Sequence, residues 1–192
     1  ALLRGVEAAR KNGADFIVTL DADGQHPPER IPDFLRHLDP NRIVVGARAS
    51  DMRSAPPARL RANRVANFFI SWAAGHWIPD TQCGFRVYPA CMFDRIRLRR
   101  HRKSGFVFES EVLIEACRNG FRVTPVPIPA LYDSVLQRPS HFRPVFDIAA
   151  IVIMVTGKLL ARGFCPQSFF QCRRERRQQE TRSCIQTSDA AL

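Results

Sequence analysis

Leu2, Leu3, Val6 and Ala9 fall on one face of a helical repeat that runs into an Asn12-Gly13 pair, so a helix is expected over residues 1–12. The next run, "DFIVTL", is short and almost wholly apolar after its aspartate, the pattern of a buried strand. "PPERIPDFLRHL" opens on prolines suited to a first helical turn and sets Ile31, Phe34, Leu35 and Leu38 on one face. "RIVVGAR" is a second strand. Helix, strand, helix, strand in this rhythm predicts an α/β fold: a mostly parallel central sheet flanked by helices.

The pattern changes beyond the polar stretch 49–56. A long helix is expected from Pro57 to about Trp77, basic at first (Arg59, Arg61, Arg64) and apolar later (Phe68, Phe69, Ile70, Trp72). "DTQCGFRVYP" reads as extended, "RIRLRRHRKSG" as a basic loop, and "FVFESEVLIEACRNG" as a helix closed by Asn119-Gly120. "FRVTPVPIP" is a strand whose prolines confine it to a sheet edge. Residues 145–163 form a mostly apolar helix, short for a membrane span of about 20 apolar residues. From Phe164 the chain is Gln/Arg-rich without periodicity, and a disordered basic tail is expected over 164–192. The organisation is therefore an α/β domain over 1–144, an apolar or amphipathic helix over 145–163, and the tail.

Charge narrows the partners. The 192 residues carry 29 basic against 18 acidic side chains, a net +11 that calls for an anion: nucleic acid, a membrane surface or a phosphorylated substrate. No helix-turn-helix, zinc or RNA-recognition signature supports the first. The six cysteines make no CxxC pair and no zinc-like spacing with histidine, so they read as free thiols. Arg95, Arg97, Arg99, Arg100, Arg102 and Lys103 form a dense basic run, either a solvated loop or a surface for anionic head groups.

The candidate chemistry starts where the first strand ends, in "VTLDADGQHPPE". A D-x-D at a strand end sends Asp21 and Asp23 to the same side of an extended chain, and Gln25 adds a carbonyl oxygen on that side. Such hard oxygen ligands suit Mg²⁺ or Mn²⁺, which complete their shells with phosphate and water. A calcium loop of the EF-hand kind fails, because counting from Asp21 glycine comes fourth and Pro32 stands twelfth. Helix capping by either aspartate is the plain alternative. No GxGxxG or Walker loop is present.

"ALLRGVEAARKNGADFIVTLDADGQHPPERIPDFL" resembles the central segment of glycosyltransferase family 2, closest to the branch of dolichol- and polyprenyl-phosphate sugar transferases. "VVGAR", "RVANFFISW", "DTQCGFRVYP" and "GFVFESEVLIEACRNGFRVTPVPI" continue the resemblance in order, over roughly residues 1–160. It implies a Rossmann-like GT-A fold and a metal-dependent, inverting transfer of sugar from a nucleotide-diphosphate donor. Asp21, Asp23 and Gln25 would then surround an Mg²⁺ or Mn²⁺ ion that holds the donor diphosphate. Members of the family begin with a strand and a nucleotide-contacting segment upstream of the point where this chain enters, so an incomplete N-terminal half of the nucleotide pocket is expected.

A hydroxyl acceptor needs a base, whereas a polyprenyl phosphate is already anionic and needs cationic clamps. Asp80, heading "DTQCGFR", is the candidate base or sugar-contacting carboxylate, against a turn residue after Pro79. Arg48 and Arg86 are candidate anion clamps, Glu109 a candidate contact to sugar or acceptor, and His141 and Arg143 of "SHFRP" candidates to close over the phosphates. Glu111, two residues from Glu109 on a helix, does not pair with it and reads as exposed. The expected place of work is the cytoplasmic face of a membrane, with a lipid-phosphate acceptor and an anionic surface as partners. A catalytically inactive membrane-associated fragment, or a basic nucleic-acid-binding module, are the competing readings.

Overall fold

A computed structural model describes residues 2–21, 26–48, 57–98, 105–129 and 144–189. Helix α1 (Leu2–Lys11) turns at Gly13, whose φ of 76° needs a residue without Cβ, into strand β1 (Phe16–Thr19). A single 3₁₀ turn (Pro28–Arg30) leads into the short helix α2 (Ile31–Leu35). Five residues cannot hold a helix unaided. Phe34 does it here, fully buried and stacked 4.1 Å from Phe85. Strand β2 (Arg42–Ala47), helix α3 (Pro57–Ala74), strand β3 (Arg86–Pro89), a helical turn α4 (Met92–Arg95), helix α5 (Gly105–Arg118) and strand β4 (Arg122–Pro127) follow. Helices α6 (Pro144–Leu160) and α7 (Pro166–Asp189) close the sequence.

The sheet order is β1-β3-β2-β4. Strands β2 and β4 run parallel, from Arg42↔Arg122 to Ala47↔Pro127. Strand β3 pairs antiparallel with both β1 and β2, so β1, β2 and β4 point one way and β3 alone is reversed. The expected α/β layering with a mainly parallel strand direction is present. The reversed strand comes from the segment read only as extended. Its direction has a consequence for function: β3 starts at the edge where β1 and β2 end, with Arg86 paired to Thr19. The Pro-rich β4 lies at the sheet edge, bonded only to β2 among the described residues.

One face of the sheet packs on α5 through Val112, Leu113 and Ala116, against Val44, Phe85 and Phe121 in the main core. A second core joins the helices: Ile70 and Ala73 of α3, Val107 and Ile114 of α5, and Ile151, Val155 and Leu159 of α6. Each such fully buried aliphatic or aromatic side chain contributes about 1.5–3 kcal/mol, so α6 is tied to the domain by its inner face. Charge reinforces the tie. Glu111 and Glu115 of α5 are both buried, and the α6 Lys158 ammonium reaches them at 2.9 and 2.5 Å. Glu111, read from sequence as exposed, is thus turned inward to the helix junction.

The segment from Phe164, expected to be disordered, is helical from Pro166 to Asp189. It shows no apolar stripe, which is why periodicity misses it. A few side chains near its start seat it on α3 and on Trp77 just beyond. The Phe169 ring meets Trp72 edge-on at 5.1 Å, Cys172 is fully buried, the Glu175 carboxylate accepts the Trp77 amide at 2.8 Å, and Arg176 lies over the Trp77 ring.

Candidate functional site

The carboxyl ends of β1 and β2 and the loop entering β3 meet at one sheet edge, the place where open α/β sheets receive ligands. Asp21 stands two residues beyond β1, with its side chain 52% exposed. Its carboxylate lies directly over Gly84: a Cβ at that position would sit 2.5 Å from Asp21 Oδ2. The Thr19 hydroxyl donates to the Gly84 carbonyl at 3.0 Å and holds the two segments in this approach.

Every polar side chain of the 80–86 loop is engaged. Arg48, just past β2, grips Asp80 with two charge-assisted bonds, Nε to Oδ2 at 2.7 Å and Nη2 to Oδ1 at 3.0 Å. Burial works to raise the Asp80 carboxyl, but the Arg48 hydrogen bond and charge, with the Gln82 and Arg48 amides, outweigh it and hold it below its ordinary value. Asn67 of α3 donates to the Pro79 carbonyl at 2.7 Å and accepts both the Thr81 amide and the Thr81 hydroxyl. Arg86 is entirely buried. Its guanidinium donates to the Cys83, Thr81 and Glu109 carbonyls at 2.7, 2.9 and 3.1 Å and to the Tyr88 hydroxyl, and lies 3.9 Å from the Glu109 carboxylate.

Glu109 completes the cluster from α5. Burial pushes its carboxyl above the ordinary value; Arg86 opposes this, and the charge of Asp21 adds to it. The two carboxylates thus share one electrostatic neighbourhood. Beside them the His26 ring is buried, with Nδ1 accepting the Asp21 amide at 3.1 Å and Nε2 lying 3.6 Å from Cys83 Sγ. Asp, His and Cys in line suggest a nucleophile, but burial pushes the Cys83 thiol up to about 11 and the sulfur is fully enclosed. It has no thiolate to offer at neutral pH.

Of the residues singled out by sequence, Asp21, Arg48, Asp80, Arg86 and Glu109 converge at this edge. Asp23, Gln25, His141 and Arg143 lie outside the described residues. Asp21 presents a half-exposed carboxylate at the end of a strand, over a backbone kept bare by glycine; among the described residues no group of three or more His, Cys, Asp or Glu side chains is arranged to hold a metal ion. Gly84, His26, Cys83 and Asn67 were missed. Only Gly84 carried a usable sign, a glycine inside a motif whose other members are large or polar.

Residues 1–97 match the family described as glycosyl transferase family 2, and the chain belongs to it. Similar curated proteins include the polyprenol monophosphomannose synthase of Mycolicibacterium smegmatis, 30% identical over 132 residues, 67% of this chain and 50% of that protein. The UDP-N-acetylglucosamine–dolichyl-phosphate N-acetylglucosaminyltransferase of Methanococcus voltae is 29% identical over 171 residues, 83% of this chain and 66% of that protein. The undecaprenyl-phosphate mannosyltransferase of Micrococcus luteus is 28% identical over 131 residues, 67% and 54% of the two chains. The chain thus spans about half to two thirds of the length of these relatives.

Proposed function

We propose that the chain carries part of the site of a metal-dependent, inverting glycosyltransferase that moves a sugar from a nucleotide-diphosphate donor to polyprenyl phosphate. The observation that carries this reading is the Asp21 carboxylate held over Gly84 at the sheet edge, where β1 and β2 end. The relatives, whose names specify polyprenol, dolichyl-phosphate and undecaprenyl-phosphate, support the acceptor class.

Asp21, with Asp23 and Gln25, would hold an Mg²⁺ or Mn²⁺ ion. Bound there, the ion supplies Lewis-acid stabilisation of the departing nucleoside diphosphate. Glu109, whose side chain is partly exposed next to Arg86, would accept a hydrogen bond from a sugar hydroxyl. Arg48 brings a cation to the rim, and Asp80 fixes its direction. A phosphate acceptor needs no base, so Asp80 serves this acceptor as the anchor of Arg48; a hydroxyl acceptor would require that ion pair to open first. Arg86, read from sequence as an anion clamp, spends its donors on the loop and on Glu109, and its role is to keep the wall of the site in place. His141 and Arg143 remain candidates to close over the donor phosphates.

Attachment to the cytoplasmic face of a membrane goes with this acceptor. Among the described residues no helix is long and apolar enough to cross a membrane. Yet Val152, Ile153, Leu160, Phe164 and Phe170 are all exposed, Ile153 by 72% and Phe170 by 69%. Phe170, Arg173, Arg174 and Arg177 share one face of α7 and line a groove of about 400 Å³. Apolar side chains rimmed by arginine suit an anionic lipid interface. Sedimentation with phosphatidylglycerol vesicles is expected to capture the protein, and the R173Q/R174Q/R177Q variant to remain in the supernatant; equal capture of both would remove α7 from the interface.

The reading as a whole is tested by calorimetry of UDP and GDP with and without Mn²⁺, on the protein and on Asp23→Ala. Nucleotide binding that needs Mn²⁺ and is lost in D23A is expected. Binding indifferent to the metal, or unchanged in D23A, would overturn it.

A further inference from the structure

Two polar side chains interrupt the apolar half of α3, and both are turned away from water. Asn67 and Ser71 stand one turn apart among Phe68, Phe69, Ile70 and Trp72, and each is buried. Beyond the helix, Gly75 takes a left-handed φ of 96° and reverses the chain, so that the segment after it runs back along the same helix. Ser71 meets that segment first: its hydroxyl accepts the Ile78 amide at 3.0 Å and donates to the Ile78 carbonyl at 3.3 Å. Asn67 meets it next. Its Nδ2 donates to the Pro79 carbonyl at 2.7 Å, and its Oδ1 accepts the Thr81 amide at 3.0 Å and the Thr81 hydroxyl at 2.7 Å. These partners fix the orientation of the amide, because a carbonyl only accepts and a backbone N–H only donates.

The residue between Pro79 and Thr81 is Asp80, whose carboxylate accepts the two bonds from Arg48. Asn67 thus holds Asp80 by both of its chain neighbours. We infer that Asn67 is a positioning residue: by clamping residues 79 and 81 it aims the Asp80 carboxylate, and through it the Arg48 guanidinium, at the rim of the site. The role rests on the reading of Arg48 as the cation that meets an acceptor phosphate. A bidentate pair is directed only as well as the backbone beneath it is held. Asparagine suits the position because it offers an acceptor to residue 81 and a donor to residue 79 at once. Aspartate lacks the donor, and leucine, of similar size, lacks both. Ser71 acts differently: its bonds end at Ile78, two residues before Asp80, and dock the segment on the helix without touching the neighbours of the carboxylate.

Comparing Asn67→Leu with Ser71→Ala separates aiming from docking. Each removes buried hydrogen bonds between α3 and the same segment, so each is expected to lower the melting temperature, and stability alone does not tell them apart. Two other readouts do, taken below the melting temperature of each variant. One is the ¹⁵N-edited resonance of the Arg48 Nε–H, assigned by its absence in R48K. The other is calorimetry with farnesyl monophosphate, a soluble probe of the acceptor class. In N67L the Arg48 Nε–H is expected to exchange with water about tenfold faster and the probe to bind about tenfold more weakly, the scale of a lost buried hydrogen bond. In S71A both should stay within about twofold of the parent. Where N67L does not fold, Thr81→Val and Thr81→Ser carry the comparison. The valine removes only the hydroxyl bond to Asn67 and should move the Arg48 resonance in the same direction; the serine keeps that hydroxyl and should restore it. An Arg48 Nε–H unchanged in folded N67L or T81V, or moved as far by S71A, would overturn the assignment. If the parent binds no farnesyl monophosphate, the reading of Arg48 as a phosphate contact falls, while the Arg48 resonance still decides the role of Asn67.

Discussion

Replacing Gly84 by alanine separates the site from the fold. The added Cβ would stand 2.5 Å from Asp21 Oδ2 and 2.8 Å from Cγ and Oδ1. Ordinary contact between such atoms begins at about 3.5 Å, so the carboxylate must retreat by about 1 Å. A bound divalent ion tolerates about 0.2 Å of error in its ligand distances. The displacement is therefore several times what a metal site absorbs. Disturbing the groups that orient a metal ligand costs about 10–100-fold in affinity, and a loss in that range is expected for Mn²⁺ and for Mn²⁺-dependent nucleotide binding. Stability should behave differently. The atoms displaced belong to the end of a half-exposed side chain, and Gly84, unlike Gly13 or Gly120, is not in the left-handed region that excludes alanine. Losing glycine from the unfolded chain contributes about 0.4–1 kcal/mol in favour of the fold. Thermal unfolding of G84A should thus match or slightly exceed the parent while calorimetry records the loss of binding. Gly46→Ala is the control: its Cβ would meet Ile128 Cδ1 at 2.8 Å and Cys83 Sγ at 3.0 Å, inside the core, so it should lower stability at least as much as binding. Unchanged Mn²⁺ affinity in a folded G84A protein would refute the argument that Asp21 is aimed by this contact.

Two further substitutions test the charges. Asp80→Asn removes a carboxylate whose folded pKa lies below its ordinary 3.8. The pair's contribution is fully present above that ordinary value and is lost as pH falls through the lower folded value. Denaturant titrations should accordingly show D80N less stable than the parent at neutral pH, because the nearly buried Arg48 loses the charge that opposes its own, and the gap should close in acid; a gap independent of pH would contradict the pairing. Lys158→Met leaves two buried glutamates facing an apolar side chain, and about 3 kcal/mol or more of stability should be lost at neutral pH. Adding Glu111→Gln should recover part of this in equilibrium unfolding, and no recovery would mean that the ion pair is not what joins α5 to α6.

How much was legible followed from what periodicity reports. Short apolar runs pointed to β1 and β2, one-sided apolar faces to α1 and α2, the apolar second half of 57–77 to α3, the Asn119-Gly120 stop to α5 and a long apolar run to α6. Strand β3 was seen as extended, but its reversed direction depends on pairing with both β1 and β2, which no local pattern encodes. Helix α7 was missed because only Phe169, Cys172, Glu175 and Arg176 seat it on α3 and on Trp77 just beyond, and an otherwise polar helix shows no apolar stripe. Glu111 was misplaced for a related reason: its partner Lys158 lies on another helix, 47 positions later in the chain.

At the candidate site the same limit takes a chemical form. Sequence reading finds charge and assigns it to ligands, whereas a folded loop must first satisfy its own polar groups. The segment 80–86 shows the outcome residue by residue. Asp80 holds Arg48, Thr81 is held by Asn67, Cys83 receives His26, Phe85 stacks on Phe34, and Arg86 gathers three carbonyls of its surroundings. The residue with no side chain, Gly84, is the one that makes room for Asp21. A loop so fully bonded to itself cannot rearrange cheaply, since breaking one buried bond leaves a donor or acceptor unpaired at about 1–3 kcal/mol. Rigidity of this kind is what a metal-binding carboxylate needs from the wall behind it. In the proposed transferase the chemistry would then rest on few exposed groups, Asp21 and Glu109 among those described, with Arg48 and Arg86 holding the frame around them.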